Sequence, residues 1–169
     1  IQRAIDGVDV FEGVSRMPLA EACSRGLVAE TGAGVRGRYL DAVASELEGV
    51  DVSGLRVAYT PLNGTGGAYV PGFLFRMGVG EVLAVPEQAE PDGEFPTCPR
   101  PNPEVPEAMR LVTGLAAREG CDLALATDPD ADRVGVAVRH AGSYRLLTGN
   151  ELGELLFDWL CSRAAARGE

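Results

Sequence analysis

LALATDPDADRVGVAV, residues 123–138, decides the fold. An apolar run, LALAT (123–127), leads into six residues, DPDADR (128–133), and a second run, VGVAVR (134–139), leads out. Short apolar runs on either side of a polar break read as two buried strands joined by a loop. Downstream, HAGS reads as a turn into YRLL (144–147), and ELGELLFDWLCSRAAAR (151–167) reads as a helix. Upstream, PEAMRLVTGLAAREG (106–120) has helical spacing, with Pro106 at its start and Gly120 at its end.

Further upstream the alternation continues. LRVAYT (55–60) and EVLAV (81–85) read as strands. Between them lie a turn-rich loop, PLNGTGG (61–67), and an apolar segment, AYVPGFLFRMG, read as a helix with Pro71 in its first turn. Tyr39, Leu40, Val43, Ala44 and Leu47 predict a helix over 35–47. Residues 1–32 are weakly patterned. Helices alternating with strands predict an α/β fold, a three-layer α/β/α domain with a small mixed, mostly parallel sheet. The hairpin at 134–147 adds its antiparallel edge. Residues 86–107 hold seven of the eleven prolines, a stiff loop read as functional because it joins a strand to a helix within one domain.

Asp128, Asp130 and Asp132 put three carboxylates within five residues, and Pro129 favours a turn that lets them converge. Carboxylates that close repel one another unless a cation sits among them. All-oxygen ligation suits Mg²⁺, Mn²⁺ or Ca²⁺, and Arg133, next in sequence, suits a phosphate bound to such an ion. The position, at the C-terminal end of a strand, is where open α/β sheets hold ligands. A solvated acidic turn is the bland alternative. An EF-hand would need Gly at 133 and Glu at 139, and both are Arg. A phosphatase of the haloacid dehalogenase type would use Asp128 as nucleophile and Asp130 as general acid. It typically has Thr or Val where Asp132 stands, and it usually needs a downstream lysine, whereas all fifteen basic residues here are arginine. A non-catalytic metal- or phosphate-binding module is the remaining alternative.

Other candidates carry less. A dinucleotide fingerprint would need Gly at 64, 66 and 69, but residue 69 is Tyr, so the 63–67 loop reads as a plain tight turn. His140 reads as a surface turn residue, the four cysteines as core or neutral, and Phe157 and Trp159 as packing residues. With 25 acidic residues and a net charge of −10, the chain is a poor nucleic-acid binder. Charges throughout residues 1–12 exclude a signal-peptide core, and no apolar run approaches a membrane span. No CxxC pair supports a zinc site, and sparse cysteines suit a reduced, cytoplasmic setting. The first residue is Ile, so the chain is expected to be part of a longer protein.

Four segments occur in the same order in one family: AYTPLNGTGG (58–67), PEQAEPDGEFPTCPRPNPE (86–104), ATDPDADRVGVAV (126–138) and LTGNELGELL (147–156). They resemble the second domain of the α-D-phosphohexomutase superfamily, the phosphoglucomutase/phosphomannomutase enzymes. Their wording is most similar to bacterial phosphoglucomutase-2 and phosphopentomutase-like members. Many of those read TPLHG where this chain has Asn63. The resemblance implies that residues 1–147 form domain II and residues 148–169 begin domain III with its first helix. It implies Mg²⁺ held by Asp128, Asp130 and Asp132, with Arg133 close to a catalytic phosphoserine. That serine, the general acid and base, and the substrate-choosing loops would lie in domains outside this sequence. The implied reaction moves a phosphoryl group between the 1- and 6- (or 5-) positions of a hexose or pentose phosphate. The 169 residues alone would be inactive.

Overall fold

The computed structural model describes residues 1–9, 11–13, 15–47 and 49–168. Three helices come first: α1 (Gln2–Asp6), α2 (Leu19–Ser24) and α3 (Ala33–Glu46). Then follow β1 (Arg56–Thr60), α4 (Val70–Arg76), β2 (Glu81–Ala84), α5 (Pro106–Glu119), β3 (Leu123–Thr127), β4 (Val134–His140), β5 (Ser143–Leu146) and α6 (Gly149–Arg167). Every strand and every longer helix expected from the sequence is present. The short helices α1 and α2 lie in the weakly patterned stretch and were not expected.

The chain divides into two compact units, Ile1–Glu46 and Leu47–Glu169. In the first unit, Ala22 is the one buried side chain among the described residues. The second unit carries the sheet, in the order β2-β1-β3-β4-β5. β1 pairs in parallel with both β2 and β3, whereas β3–β4 and β4–β5 are antiparallel. The sheet is therefore mixed as expected, but its parallel share is two pairings of four rather than the majority. The cause is the six-residue loop 128–133, which is too short for a crossover and forces a hairpin.

Directly paired residues share a sheet face. Ala58, Ala124, Ala126 and Ala137 are fully buried on one face, and α5 lays Ala108, Met109, Val112, Leu115 and Ala116 into the same core. That set recurs with helical period, so one stripe of α5 meets the sheet. Pro106 opens α5, and Gly120, at φ +68°, closes it in the left-handed conformation that glycine takes without strain. Alanines on the strands let the helix come close. At Gly135 the fit is tight, since a Cβ there would stand 2.9 Å from the Met109 sulfur.

The β4–β5 turn places Ala141 and Gly142 at φ +47° and +82°, the two-residue geometry that follows strand twist. His140 is the exposed last residue of β4, while Cys98 and Cys121 are buried and Cys23 and Cys161 exposed. α6 begins with a reciprocal cap: Thr148 Oγ1 accepts from Glu151 N at 3.2 Å, and the Glu151 carboxylate accepts from Thr148 N at 2.8 Å. α6 buries none of its described side chains. Phe157, expected to pack, is 70% exposed, and Trp159 stacks under the Arg163 guanidinium. No helix among the described residues is long and apolar enough to cross a membrane.

Candidate metal centre

The acidic loop begins where β3 stops pairing. Asp128 starts a turn closed by Ala131 N donating to Asp128 O at 3.0 Å. Pro129 sits at the second turn position, which its fixed φ suits, and Ala131 then takes φ +61°. This left-handed residue reverses the chain so that ligand atoms of Asp128, Asp130 and Asp132 lie within 4.8 Å of one another. Asp128 is 3% exposed, while Asp130 and Asp132 reach solvent.

Arg133 lies against the same carboxylates. Its backbone N–H donates to Asp128 Oδ1 at 2.9 Å, and its Nε stands 3.2 Å from Asp128 Oδ2 and 3.6 Å from Asp132 Oδ1. One guanidinium facing three carboxylates leaves negative charge in excess. Asp132 shows the consequence: a hydrogen bond to the Asp128 carboxylate, then the charges of Asp130 and Asp128, raise its carboxyl above the usual Asp range. A divalent cation would remove that penalty, and the donor set is the hard-oxygen set such an ion takes. The residues therefore fit Mg²⁺. Three side-chain ligands would leave room at such an ion for water or a phosphate oxygen.

The 63–67 loop has a second job that its sequence does not display. Pro61–Gly64 is indeed a tight turn, with Leu62 and Asn63 at φ +50° and +59° and Gly64 N donating to Pro61 O at 2.8 Å. Beyond it, Thr65 donates twice to the carbonyl of Pro129, from N at 2.8 Å and from Oγ1 at 3.1 Å. Gly64 lies directly against Pro129, where any Cβ would overlap the backbone. The acidic loop is thus held from outside by residues 64 positions earlier. Beneath it, Tyr59 Oη and Thr127 Oγ1 form a buried pair at 2.8 Å. Burial pushes the Tyr59 phenol up, which keeps it protonated.

The proline-rich loop is fastened to the same turn. Asn63 N donates to Gln88 O at 3.0 Å, Asn63 Nδ2 to Glu90 O at 2.9 Å, and Asp92 N to Asn63 O at 3.0 Å. Thr60 Oγ1 donates to Gln88 Oε1 at 2.7 Å, and Gln88 Nε2 to Thr97 Oγ1 at 3.0 Å. Asn63, which departs from TPLHG, serves here as a two-sided clamp.

Comparisons with known proteins point one way. Residues 37–142 match the family model described as phosphoglucomutase/phosphomannomutase, alpha/beta/alpha domain II. A phosphoribomutase of Saccharomyces cerevisiae is 40% identical over 129 residues, covering 69% of this chain and 21% of that protein. A human glucose 1,6-bisphosphate synthase is 39% identical over 108 residues, covering 63% of this chain and 17% of that protein. The chain thus spans about a fifth of the length of these relatives. Among solved structures, a phosphoglucomutase/phosphomannomutase family protein of Burkholderia thailandensis superposes with a TM-score of 0.55 at 21% identity, over 66% of this chain and 22% of that one. At that identity the likeness concerns the fold.

Proposed function

The chain belongs to the phosphoglucomutase/phosphomannomutase family, and from that premise we propose that it supplies the metal-holding half of a phospho-sugar mutase active site. The observation that carries this reading is the convergence of three carboxylates on a loop whose buried member, Asp128, is fixed by Arg133. Asp128, Asp130 and Asp132 would hold Mg²⁺, which when bound supplies Lewis-acid stabilisation of phosphoryl oxygens.

The chain's own residues do the rest of what this domain contributes. Arg133, with its side chain 53% exposed, is placed to turn its guanidinium from Asp128 to a phosphoryl group presented by a phosphoserine of another domain. Phosphoryl transfer needs positioning and charge neutralisation above all, and the rigid loop provides both. The reaction is an intramolecular phosphotransfer between the 1- and 6- (or 5-) positions of a hexose or pentose phosphate. Its general acid and base and its choice of sugar come from other domains, so these 169 residues alone are inactive. Two relatives with differently named activities share this domain at 39–40% identity, which supports placing substrate choice elsewhere.

Domain II on this reading ends near residue 147 and α6 opens domain III. In support, α6 leaves Leu155, Leu156, Phe157 and Leu160 more than half exposed, an apolar face that needs another domain's core. A cytoplasmic location belongs to the same proposal, because phosphorylated sugars are retained there. The family match over residues 37–142 weighs against the phosphatase alternative.

The test is Mn²⁺ binding by the 169-residue chain, read by electron paramagnetic resonance. Asp128→Asn should weaken it at least about 100-fold. In the complete enzyme, Asp128→Ala with Asp130→Ala should abolish metal-dependent turnover. Unchanged binding in the first case, or normal turnover in the second, overturns the assignment.

A further inference from the structure

Tyr59 is fully buried, and its hydroxyl reaches out of β1 to Thr127 Oγ1 at 2.8 Å. Thr127 is the last residue of β3 and precedes Asp128, the buried member of the acidic loop. Tyr59 and Leu125 are paired across the parallel strands, so the phenol runs along the sheet face toward the loop end. The arrangement depends on Gly66. A Cβ at that position would stand 2.5 Å from Thr127 Oγ1 and overlap the Tyr59 hydroxyl. Two hydroxyls and one missing side chain are thus fitted together at the end of β3, one residue before Asp128.

We propose that the Tyr59–Thr127 hydroxyl pair, seated against Gly66, is a positioning device for metal binding: it fixes the end of β3 and so the point from which Asp128 projects. The inference rests on the metal-holding role argued above and assigns residues to it that touch no ligand atom. The physical reason lies in directionality. Apolar packing tolerates a strand end rotating by some degrees, whereas a buried hydroxyl pair holds one angle and one distance. Thr127 also pairs with Val134, across the mouth of the loop, so a shift at one stem is transmitted to the other. Groups behind the metal ligands typically change metal affinity about 10- to 100-fold when removed.

The experiment is a Mn²⁺ titration of the 169-residue chain by electron paramagnetic resonance, with thermal melts of the same samples. Tyr59→Phe is expected to weaken Mn²⁺ about tenfold. Thr127→Ser keeps the hydroxyl and is expected to bind as the wild type does. The double variant Tyr59→Phe/Thr127→Val separates positioning from stability. With both hydroxyls gone, no buried polar group is left unpaired, and the melting temperature should recover toward wild type. Affinity should stay about tenfold weaker. Should Tyr59→Phe prove too unstable to titrate, the double variant carries the decision. Wild-type affinity in Tyr59→Phe, or affinity that recovers together with stability in the double variant, overturns the proposal. Asp128→Asn in the same series distinguishes the two levels. If the wild type binds no better than Asp128→Asn, the metal reading itself fails; if it binds well and Tyr59→Phe binds equally, the positioning role alone fails.

Discussion

Gly64→Ala isolates the contact that shapes the acidic loop. Gly64 has φ −102° and ψ −170°, an extended conformation open to any residue, so alanine meets no backbone strain there. What it meets is Pro129: a Cβ would stand 2.8 Å from the Pro129 carbonyl carbon and 2.5 Å from its oxygen. Carbon atoms in ordinary contact keep about 3.5–4.0 Å, and the Pro129 Cα lies closer to that Cβ than its carbonyl carbon does, so the two loops must part by more than about 1 Å. Overpacking of this kind costs about 1–3 kcal/mol. For a chain of this size the melting temperature should then fall by roughly 2–12 °C. Parting the loops also stretches both Thr65 bonds to Pro129 O and moves Asp130 away from its neighbours. A displacement of about 1 Å is the scale at which a positioned site loses on the order of 100-fold in effectiveness. Mn²⁺ affinity of the folded variant should therefore drop about 10- to 100-fold. Paired melts and Mn²⁺ titrations check both effects. A Gly64→Ala protein that melts and binds like the wild type would refute the claim that the close approach sets the loop.

Gly114→Ala is the contrasting glycine. It lies exposed within α5 with nothing within 4 Å of a Cβ, so alanine should stabilise the chain by about 0.5–1 kcal/mol in denaturant unfolding. A loss of stability would show that α5 is held at that point by an unrecognised contact. At α6, Thr148→Ala should cost about 1 kcal/mol through loss of the cap. The bonds from Thr148 hold the Glu151 carboxyl below its usual range, so the stabilisation from Glu151 is present above its unfolded pKa and is lost as pH falls through the depressed folded value. Helicity followed by circular dichroism on acidification should show that loss in the wild type and not in Glu151→Gln, whose carboxamide does not titrate; identical profiles would contradict it.

The hydrophobic pattern made the strands legible because each is a short apolar run between turn residues. The acidic loop was legible because its residues are contiguous. The handedness of the pairings was less so, since a six-residue loop between two apolar runs decides a hairpin only once the strand ends are known. The support beneath the loop was not legible at all. Tyr59 reads as one more apolar strand residue, and Gly64 and Gly66 read as turn glycines, whereas their partners Thr127 and Pro129 lie more than 60 positions away. Local sequence carries no signal for such a contact. Phe157 shows the reverse error, because an apolar residue on a helix predicts burial without saying whether the partner lies in this chain.

The sheet order also bears on how the chain assembles. β3 and β4 are joined by six residues, whereas the β1–β3 pairing closes a loop that holds α4, β2, the proline-rich segment and α5. Hairpins form in about 1–10 μs, and long parallel closures come later because they lose more chain entropy before any contact repays it. The carboxylates should therefore come together in an early hairpin, and their outer brace should arrive when β1 docks. Pulse-labelled hydrogen exchange during refolding should protect β3–β4 amides ahead of β1 amides, and simultaneous protection would exclude this order. The three acids would then spend the first part of folding crowded and unbraced, so a divalent cation present during refolding could act on them before the fold is complete.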